Sequence, residues 1–332
     1  MTLAPEAAPI AAAAGPHIPE LLERIEQRLA AIARAYPEPL SGWASGTITA
    51  GGKRLRPLLL LVAAGPPEHW RDPVAADGLV RGGVAVELVH SATLVHDDVL
   101  DAAPLRRGQP TVWAAAGRDA AIATGDALFA DAFAELVRSG DAGQVQALSR
   151  AGSALAQGEL LQRADAWDTA LPVQRYLHRC ELKTARLFEA ACAIGVLEGT
   201  GDTLLADRLT QFGRRIGLAF QLLDDVLDVS GPAERTGKPR GTDLLDGTVT
   251  LPLLLARDRD PALAALDLRA VTTPEQAEAV CDAIAACGAL QSARRRAEDL
   301  VVAAKAELPD ELPARQRSAL DLVADGVVAR YA

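Results

Sequence analysis

The motif Asp-Asp-x-x-Asp occurs twice in the chain, each time at the end of an apolar stretch. The first copy is Asp97-Asp98-Val99-Leu100-Asp101, and the second is Asp224-Asp225-Val226-Leu227-Asp228. On a helix, residues four apart lie about 40° apart on one face and roughly 6 Å from each other. Carboxylates so close repel, and the negative end of a helix dipole adds to the repulsion. We therefore expect the two motifs to face each other across a site that holds cations.

The ligand chemistry of the motifs indicates which cation they would bind. Oxygen ligands without cysteine or paired histidine favour hard cations, and Mg²⁺ typically takes a few carboxylates, several waters and a substrate phosphate. One isolated copy of the motif is more often an acidic surface turn. Two copies on apolar helices make a shared magnesium site the better interpretation.

The composition predicts an all-α fold. Of the 332 residues, 49% are hydrophobic, mostly alanine, leucine and valine, and only 4% are aromatic. Long stretches of Ala, Leu, Glu and Arg with little β-type alternation indicate helices. The net charge of −10 argues against nucleic acid as a general partner.

The sequence is typical of a cytoplasmic protein without a membrane span. Met1 to Pro16 carries Glu6 and several prolines and has no basic start, unlike a signal peptide. No uncharged apolar run reaches the roughly 18 residues that a span needs. The cysteines are too few and too scattered for a disulfide framework or a zinc site, and we expect them to be reduced. They are Cys180, Cys192, Cys281 and Cys287.

The pattern along the chain predicts one domain behind a short tail. Residues 1–17 are rich in alanine and proline and are expected to be disordered, whereas residues 18–332 are expected to form a single domain. Thr273 and Pro274 form a good cap and first position of a helix. Helical periodicity predicts helices over 18–35, 58–64, 79–101, 119–137, 144–164, 173–196, 202–229, 251–256, 274–286, 290–308 and 314–329.

Basic residues accompany both motifs. The segment Gly51–Arg56 joins two glycines, which allow a tight bend, to three cations, a combination that suits a diphosphate; a solvated basic turn is the alternative. Arg106-Arg107-Gly108 follows the first motif. Lys183 stands on an apolar stretch and either extends to solvent or points into a cavity, two options that the residues leave open. The loop 231–247, which contains Lys238, has the length of a functional lid.

Together and in this order, the motifs resemble those of the trans-prenyl (polyprenyl) diphosphate synthases of medium- and long-chain type. The resemblance extends from about Gly51 to Pro252 and includes the Lys-Thr at 183–184 and the Phe-Gln at 220–221. It implies the all-α isoprenoid synthase type I fold, a helical bundle around a central cavity, as a homodimer. It also implies a transferase in which Mg²⁺ triggers ionisation of an allylic diphosphate and isopentenyl diphosphate attacks the cation. No protein nucleophile is needed, and the released pyrophosphate is the expected base.

The resemblance also implies roles for individual residues. About three Mg²⁺, or Mn²⁺, would bind per site. Their ligands would be Asp97, Asp101 and Asp224, with Asp98, Asp225 and Asp228 acting through water or as neighbours. The allylic diphosphate would be held by Arg106, Lys183 and Lys238, assisted by Gln221 and Thr184. The diphosphate of isopentenyl diphosphate would be held by Lys53, Arg56, His90 and Arg107, with Arg54 nearby. The six aspartates, Lys183 and Arg106 are the expected catalytic residues.

Two positions need a separate interpretation. Relatives of this family often carry lysine where this chain has Thr248, so one cationic contact to the allylic diphosphate or its metals is absent. That change puts affinity in doubt more than reaction type, because both motifs and Lys238 remain. His96 directly precedes the first motif, and we interpret it as a structural histidine.

Small residues before the first motif predict a long product. The growing chain is expected to run along the first motif's helix, where short-chain members of the family carry an aromatic residue. Here the positions are Ala92 and Thr93, so we expect a product of about twenty carbons or more, with about six to nine isoprene units favoured. Phe129 and Phe133 on the neighbouring helix are candidates for a deeper floor.

Three rival classes are less consistent with the sequence. A class I terpene cyclase would share the bundle and the first motif, but it would not need the Gly-Gly-Lys loop for a second diphosphate. A di-iron carboxylate bundle needs Glu and Glu-x-x-His ligands from several helices, and only Glu87-x-x-His90 matches locally. A non-catalytic subunit of a heteromeric synthase would tend to lose the aspartates.

Overall fold

Helices form nearly all of the regular structure in the part of the chain that is described. A computed structural model describes residues 7–49, 52–70, 72–231 and 239–329. The α-helices are α1 (Ala7–Ala14), α2 (His17–Ala35), α3 (Leu40–Thr49), α4 (Leu55–Ala63), α5 (Pro73–Leu100), α6 (Val112–Ala116), α7 (Arg118–Val137), α8 (Ala142–Ala164), α9 (Val173–Cys180), α10 (Arg186–Gly199), α11 (Thr203–Ser230), α12 (Thr242–Leu245), α13 (Leu251–Arg257), α14 (Pro261–Ala264), α15 (Pro274–Ala286), α16 (Ala289–Ala306) and α17 (Ala314–Ala329). The prediction of an all-α protein is confirmed.

Short elements fill some of the connections. A π-helical segment, Glu181–Ala185, joins α9 to α10, and 3₁₀ turns lie at Pro67–His69 and Leu268–Ala270. Strands β1 (Leu105–Arg106) and β2 (Gln109–Pro110) pair antiparallel directly after α5. This hairpin fixes the position of the arginines that follow the first aspartate motif.

The chain divides into two compact units. Unit 1 comprises Met1–Gly152, Leu187–Gly213 and Leu308–Val323. Unit 2 comprises Ser153–Arg186, Arg214–Glu307 and Ala324–Ala332. Each unit is thus assembled from three separate segments of chain, and the single domain expected over 18–332 stays a prediction.

Helix α5 is the core helix of unit 1. It packs against α2, α4 and α7, and its paired glycines allow close approach: a Cβ at Gly82 would lie 2.8 Å from Ile194 Cγ2, and one at Gly83 would lie 2.5 Å from Ile25 Cδ1. Among the described residues, Pro73–Leu100 is also the one helix long and apolar enough to cross a membrane. Its most apolar window is 78% buried inside the protein, which is the property of a core helix.

Helix α1 corrects the prediction of a disordered tail over residues 1–17. Residues 7–14 are helical, and residues 1–6 lie outside the described residues. Ile10 and Ala11 are buried, and the helix packs against α2 and α4. The prolines favoured disorder in the sequence, but Pro9 lies in the first turn of α1, where a missing N–H costs no helical hydrogen bond.

The helix predicted over 173–196 is interrupted. Its middle adopts the π conformation at Glu181–Ala185, and Lys183 and Thr184 lie within that segment. Helix α8 approaches it very closely at Gly158, where a Cβ would lie 2.5 Å from the Lys183 backbone nitrogen. Single π turns inside helices are frequent at functional sites.

The N-terminus of α15 is capped by the residues that the sequence predicted for it. Thr273 Oγ1 accepts a hydrogen bond from the Gln276 backbone N–H at 3.3 Å, and Gln276 Oε1 accepts one from the Thr273 N–H at 3.1 Å. Pro274 occupies the first helical position. This reciprocal capping box satisfies two otherwise unpaired donors, and the predicted cap is confirmed.

Replacing Thr273 by alanine should therefore destabilise unit 2. The free energy of unfolding is expected to fall by about 1 kcal/mol, because the cap at the Gln276 N–H is lost. Chemical denaturation of the wild type and the variant measures this difference. Thr273→Ser, which keeps the hydroxyl, is the matched control, and an alanine variant as stable as the serine variant would show that the cap contributes nothing.

Candidate active site

The first aspartate motif lies at the C-terminal end of α5, in unit 1. Asp98 is 4% exposed, whereas Asp97 is half-buried and Asp101, the residue that caps the helix, is exposed. Asp98 Oδ1 accepts a hydrogen bond from Arg106 Nε at 2.8 Å and forms an ion pair with Arg106 Nη2 at 2.7 Å. Burial raises the pKa of Asp98 and the neighbouring Asp101 raises it further, while Arg106 acts in the opposite direction.

The β1–β2 hairpin explains how Arg106 reaches Asp98. Arg107 and Gly108 form its turn with positive φ angles of 52° and 76°. The turn folds the chain back after α5, and the Ala103 N–H donates to the Asp98 carbonyl at 3.0 Å. The hairpin thereby places Arg106 in contact with Asp98. The next residue, Arg107, is exposed.

The second aspartate motif lies in the last turns of α11, in unit 2. Asp225 is 4% exposed and receives hydrogen bonds from the Tyr176 hydroxyl at 2.5 Å and from Gln221 Nε2 at 2.8 Å. Gln221 in turn accepts one from Thr184 Oγ1 at 2.6 Å. The pKa of Asp225 is raised to about 7, chiefly by burial and also by nearby Asp243 and Asp224, while the hydrogen bonds from Tyr176 and Gln221 act in the opposite direction.

Both motifs therefore share one arrangement. The central aspartate is buried and hydrogen-bonded by a side chain of another element, and at least one outer aspartate, Asp101 or Asp224, is exposed. Among the described residues, no three acidic, histidine or cysteine side chains converge into a complete metal site. The donor set is nevertheless the oxygen-only type that Mg²⁺ prefers when waters and a substrate phosphate supply the remaining ligands. The residues thus fit the expected cation.

Tyr176 is a site residue that sequence reasoning missed, and its hydroxyl can be tested directly. Tyr176→Phe leaves the buried Asp225 with one hydrogen bond fewer, so the free energy of unfolding should fall by about 1–3 kcal/mol. Denaturant titration measures the change. Tyr36→Phe is the matched control, because the Tyr36 hydroxyl donates to Asp131 at a half-buried position. Equal losses in the two variants would contradict a special role of Tyr176.

Lys183 forms an ion pair with Glu159. Lys183 Nζ lies 2.5 Å from Glu159 Oε2, and the side chains of the lysine and the glutamate are 26% and 11% exposed. Within the π segment, Lys183 contacts Glu159 on α8, and the next residue, Thr184, contacts Gln221 on α11. No sequence motif marks Glu159 as a site residue. Its one distinguishing feature in the sequence is its position directly after Gly158.

A cationic cluster gathers in unit 1 around His90. Burial lowers the pKa of His90 well below its usual value, and the positive charges of Arg56, Arg107, Arg106 and Arg54 lower it further. The Arg56 guanidinium stacks 4.7 Å from the centroid of the Phe188 ring. Lys53 is exposed on the loop before α4. Unit 1 thus brings together Arg56, Arg107 and His90, three of the four residues expected to hold a metal-free diphosphate.

The positions expected to limit product length also lie in unit 1. Ala92 is fully buried and Thr93 is half-buried, with its hydroxyl donating to the His90 carbonyl at 2.8 Å. The rings of Phe129 and Phe133 are in tilted contact, 5.5 Å between centroids. Phe129 also fits against Gly152, where a Cβ would lie 2.6 Å from its ring.

His96 has the contacts of a structural residue. Its Nε2 lies 3.4 Å from the Ile122 carbonyl oxygen and 3.4 Å from Asp126 Oδ1. The ring packs over Gly125, where a Cβ would lie 2.2 Å from Nε2. These contacts tie the end of α5 to α7.

The predicted site residues fall into two groups. Unit 1 contains the first motif, the basic loop, His90, the Arg106-Arg107 pair and the chain-length positions, and unit 2 contains the second motif with Lys183, Thr184 and Gln221. Lys238 lies outside the described residues. The sequence did not predict Glu159, the partner of Lys183, or Tyr176, the partner of Asp225.

Comparison with known proteins identifies the family. Residues 37–287 match the family model for polyprenyl synthetase. Octaprenyl diphosphate synthase of Escherichia coli (strain K12) is 37% identical over 275 residues, covering 79% of this chain and 82% of that protein. Heptaprenyl diphosphate synthase component 2 of Geobacillus stearothermophilus is 38% identical over 245 residues, covering 74% and 75%.

Solved structures agree with that assignment. A polyprenyl synthase from Caulobacter crescentus CB15, complexed with calcium and isoprenyl diphosphate, superposes with a TM-score of 0.83 at 34% identity and covers 98% of both chains. A heptaprenyl diphosphate synthase from Staphylococcus aureus gives 0.85 at 28% identity, covering 95% of this chain and 99% of that one. The fold and the paired aspartate motifs define a prenyltransferase of the all-α type. The chain belongs to the polyprenyl synthetase family and is a trans-prenyl diphosphate synthase.

Proposed function

We propose that this enzyme condenses isopentenyl diphosphate head-to-tail onto an allylic prenyl diphosphate and releases pyrophosphate. The product is a trans-polyprenyl diphosphate of about twenty carbons or more. The observation that carries this proposal is the repeated arrangement of the two motifs, in which a buried, tethered central aspartate accompanies outer carboxylates that are more accessible. The names of the relatives, which include octaprenyl and heptaprenyl synthases, support a product in the longer range.

The aspartate motifs would bind the metal ions and, through them, the allylic diphosphate. Asp97, Asp101 and Asp224 are the proposed ligands, and about three Mg²⁺ would neutralise charge on the departing diphosphate when bound. Asp98 and Asp225, which neighbouring side chains hold, would orient the motifs, and Asp228 would act with them through water or as a neighbour of the ligands. The complex of the Caulobacter relative with calcium supports a hard divalent ion at this kind of site.

Cationic side chains would orient the allylic diphosphate. Lys183 and Arg106 are each already ion-paired with a carboxylate, so they are held in place before substrate arrives. Gln221 and Thr184 form one hydrogen-bonded chain with Asp225. Lys238 is proposed as a further contact.

A second diphosphate would bind without metal at the cluster of Lys53, Arg56, His90 and Arg107. Burial, and after it the neighbouring arginines, lowers the pKa of His90 and favours the neutral ring in the free enzyme, so the ring can donate one hydrogen bond without adding charge. The double bond of this substrate attacks the allylic cation, so no protein nucleophile is required. The released pyrophosphate would accept the proton then lost.

The location and the assembly are also proposals. All four cysteines are free thiols, three of them buried, which supports a reducing compartment such as the cytoplasm. A homodimer is expected from the family. One relative is named as a component of a heptaprenyl synthase, so activity of the purified chain alone needs a direct test.

Incubation with isopentenyl diphosphate, Mg²⁺ and each allylic diphosphate from five to twenty carbons tests the proposal. The purified chain should elongate at least one primer, and sizing the dephosphorylated products gives the length. A hydrocarbon or alcohol formed without isopentenyl diphosphate would instead indicate a terpene cyclase. A chain that binds substrate but forms no product on its own would indicate a non-catalytic or incomplete subunit.

A further inference from the structure

Arg54 stands in the middle of the basic loop but is directed toward carboxylates. Its Nε lies 2.5 Å from Glu26 Oε1, its Nη2 lies 3.2 Å from Glu26 Oε2, and its Nη1 lies 2.5 Å from Glu87 Oε1. Nη2 also donates to the Ile48 carbonyl at 2.9 Å. Of the five N–H donors of a guanidinium, these four bonds leave one, so Arg54 has little capacity left for a diphosphate.

The three partners of Arg54 come from three different helices of unit 1. Glu26 is on α2, Ile48 is on α3 and Glu87 is on α5. The side chain of Arg54 is 10% exposed and that of Glu87 is 6% exposed. Burial alone would lower the pKa of Arg54, but the two carboxylates raise it above its usual value. The Arg54 guanidinium is therefore largely buried and stays charged.

The backbone at Arg54 is fixed as well. Arg54 precedes α4 in a left-handed conformation, with φ 48° and ψ 36°, which is uncommon for a residue other than glycine. Gly52 lies against the same cluster: a Cβ there would be 3.4 Å from Arg54 Nη1 and 3.7 Å from both Glu87 Oε1 and Arg107 Nη1. Lys53 lies between Gly52 and Arg54, and Arg56 lies in the first turn of α4.

We propose that Arg54 is a positioning residue, which ties the basic loop to α2, α3 and α5 so that Lys53 and Arg56 meet the diphosphate of the non-allylic substrate. The inference rests on the proposed function. Glu87 has a second effect in this arrangement, since its charge offsets part of the repulsion between Arg54 and Arg107. Arg54 would act through its neighbours and would not touch substrate.

Arg54→Lys tests the proposal through the two substrates separately. A lysine ammonium cannot reproduce the fork that bridges Glu26 and Glu87, so the loop should lose its fixed position. The KM for isopentenyl diphosphate should rise by about tenfold to a hundredfold. The KM for the allylic diphosphate, and kcat at saturation of both substrates, should change by no more than about threefold, because the aspartate motifs are intact.

Glu87→Gln distinguishes positioning from direct binding. If Arg54 positions the loop, loss of the Glu87 charge should also raise the KM for isopentenyl diphosphate. If Arg54 instead binds the diphosphate and Glu87 competes for it, the same substitution should lower that KM and the proposal is wrong. Glu26→Gln, at a more exposed position, provides the same test should either buried variant fail to fold.

Arg28→Lys is the matched control. Arg28 forms an equivalent pair with Glu135, at 2.5 Å and 3.0 Å, and the Glu135 side chain is 7% exposed. Its loss should lower the melting temperature while the KM for isopentenyl diphosphate stays unchanged. An Arg54→Lys enzyme with a wild-type KM, or an Arg28→Lys enzyme with the same rise, would overturn the proposal. A wild type that elongates no primer would instead refute the proposed function.

Discussion

Asp97→Asn and Asp224→Asn are each expected to lower kcat/KM by about a hundredfold to a thousandfold. Each change keeps the size of the side chain and removes one negative charge from a proposed metal ligand. Less charge on the departing diphosphate would be neutralised, and ionisation of the allylic substrate would slow. Steady-state prenyl transfer at saturating Mg²⁺ measures the loss.

A second measurement separates ligand loss from misfolding. Mg²⁺ with pyrophosphate should raise the melting temperature of the wild type, because a ligand that binds only the folded state stabilises it. The two variants should unfold at the wild-type temperature without ligand and gain less from it. Asp207→Asn is the control, since Asp207 is an exposed aspartate on the same helix as Asp224. Wild-type rates for Asp97→Asn or Asp224→Asn would refute the assignment of the motifs.

The sequence predicted most of what depends on local pattern. The predicted helices over 18–35 and 274–286 appear at His17–Ala35 and Pro274–Ala286, because amphipathic periodicity and capping residues are short-range signals. Both aspartate motifs lie at helix ends for the same reason. The spacing of two carboxylates on one helix is a property of the helix itself.

What the sequence could not predict depends on contacts between distant residues. The π segment around Lys183 continues a helical pattern, and its irregularity coincides with the close approach of α8 at Gly158. In the sequence, Arg54 is one of three cations in a basic loop, and only the structure shows that Glu26 and Glu87 contact its guanidinium. Tyr176 is 49 positions from Asp225, so no local motif links them.

The sequence also cannot predict the separate roles of identical residues within one motif, because those roles depend on burial. Within each aspartate motif the sequence treats the three carboxylates alike, yet Asp98 and Asp225 are buried while Asp101 and Asp224 are exposed. Which carboxylate is buried follows from how the helix face meets its neighbours. Burial therefore supplies the distinction between carboxylates that orient a motif and those available to a cation.

Ala92→Phe is expected to shorten the product by several isoprene units, because a ring at this position would close the path along α5. Ala92 is fully buried, so the added volume must displace its neighbours and should also cost about 1–3 kcal/mol of stability. Chromatography of the dephosphorylated products, with the same primer for all variants, measures the length distribution. Melting curves show which variants remain folded at the assay temperature.

Two further variants locate the floor. Ala92→Ser adds almost no volume and should leave the product length unchanged. Gly152→Ala would place a Cβ 2.6 Å from the Phe129 ring, so the ring must move, and the length should change only if Phe129 forms part of the floor. An unaltered distribution in Ala92→Phe would show that the chain does not pass this position of α5. A change in Gly152→Ala with none in Ala92→Phe would place the length limit at the Phe129 and Phe133 pair.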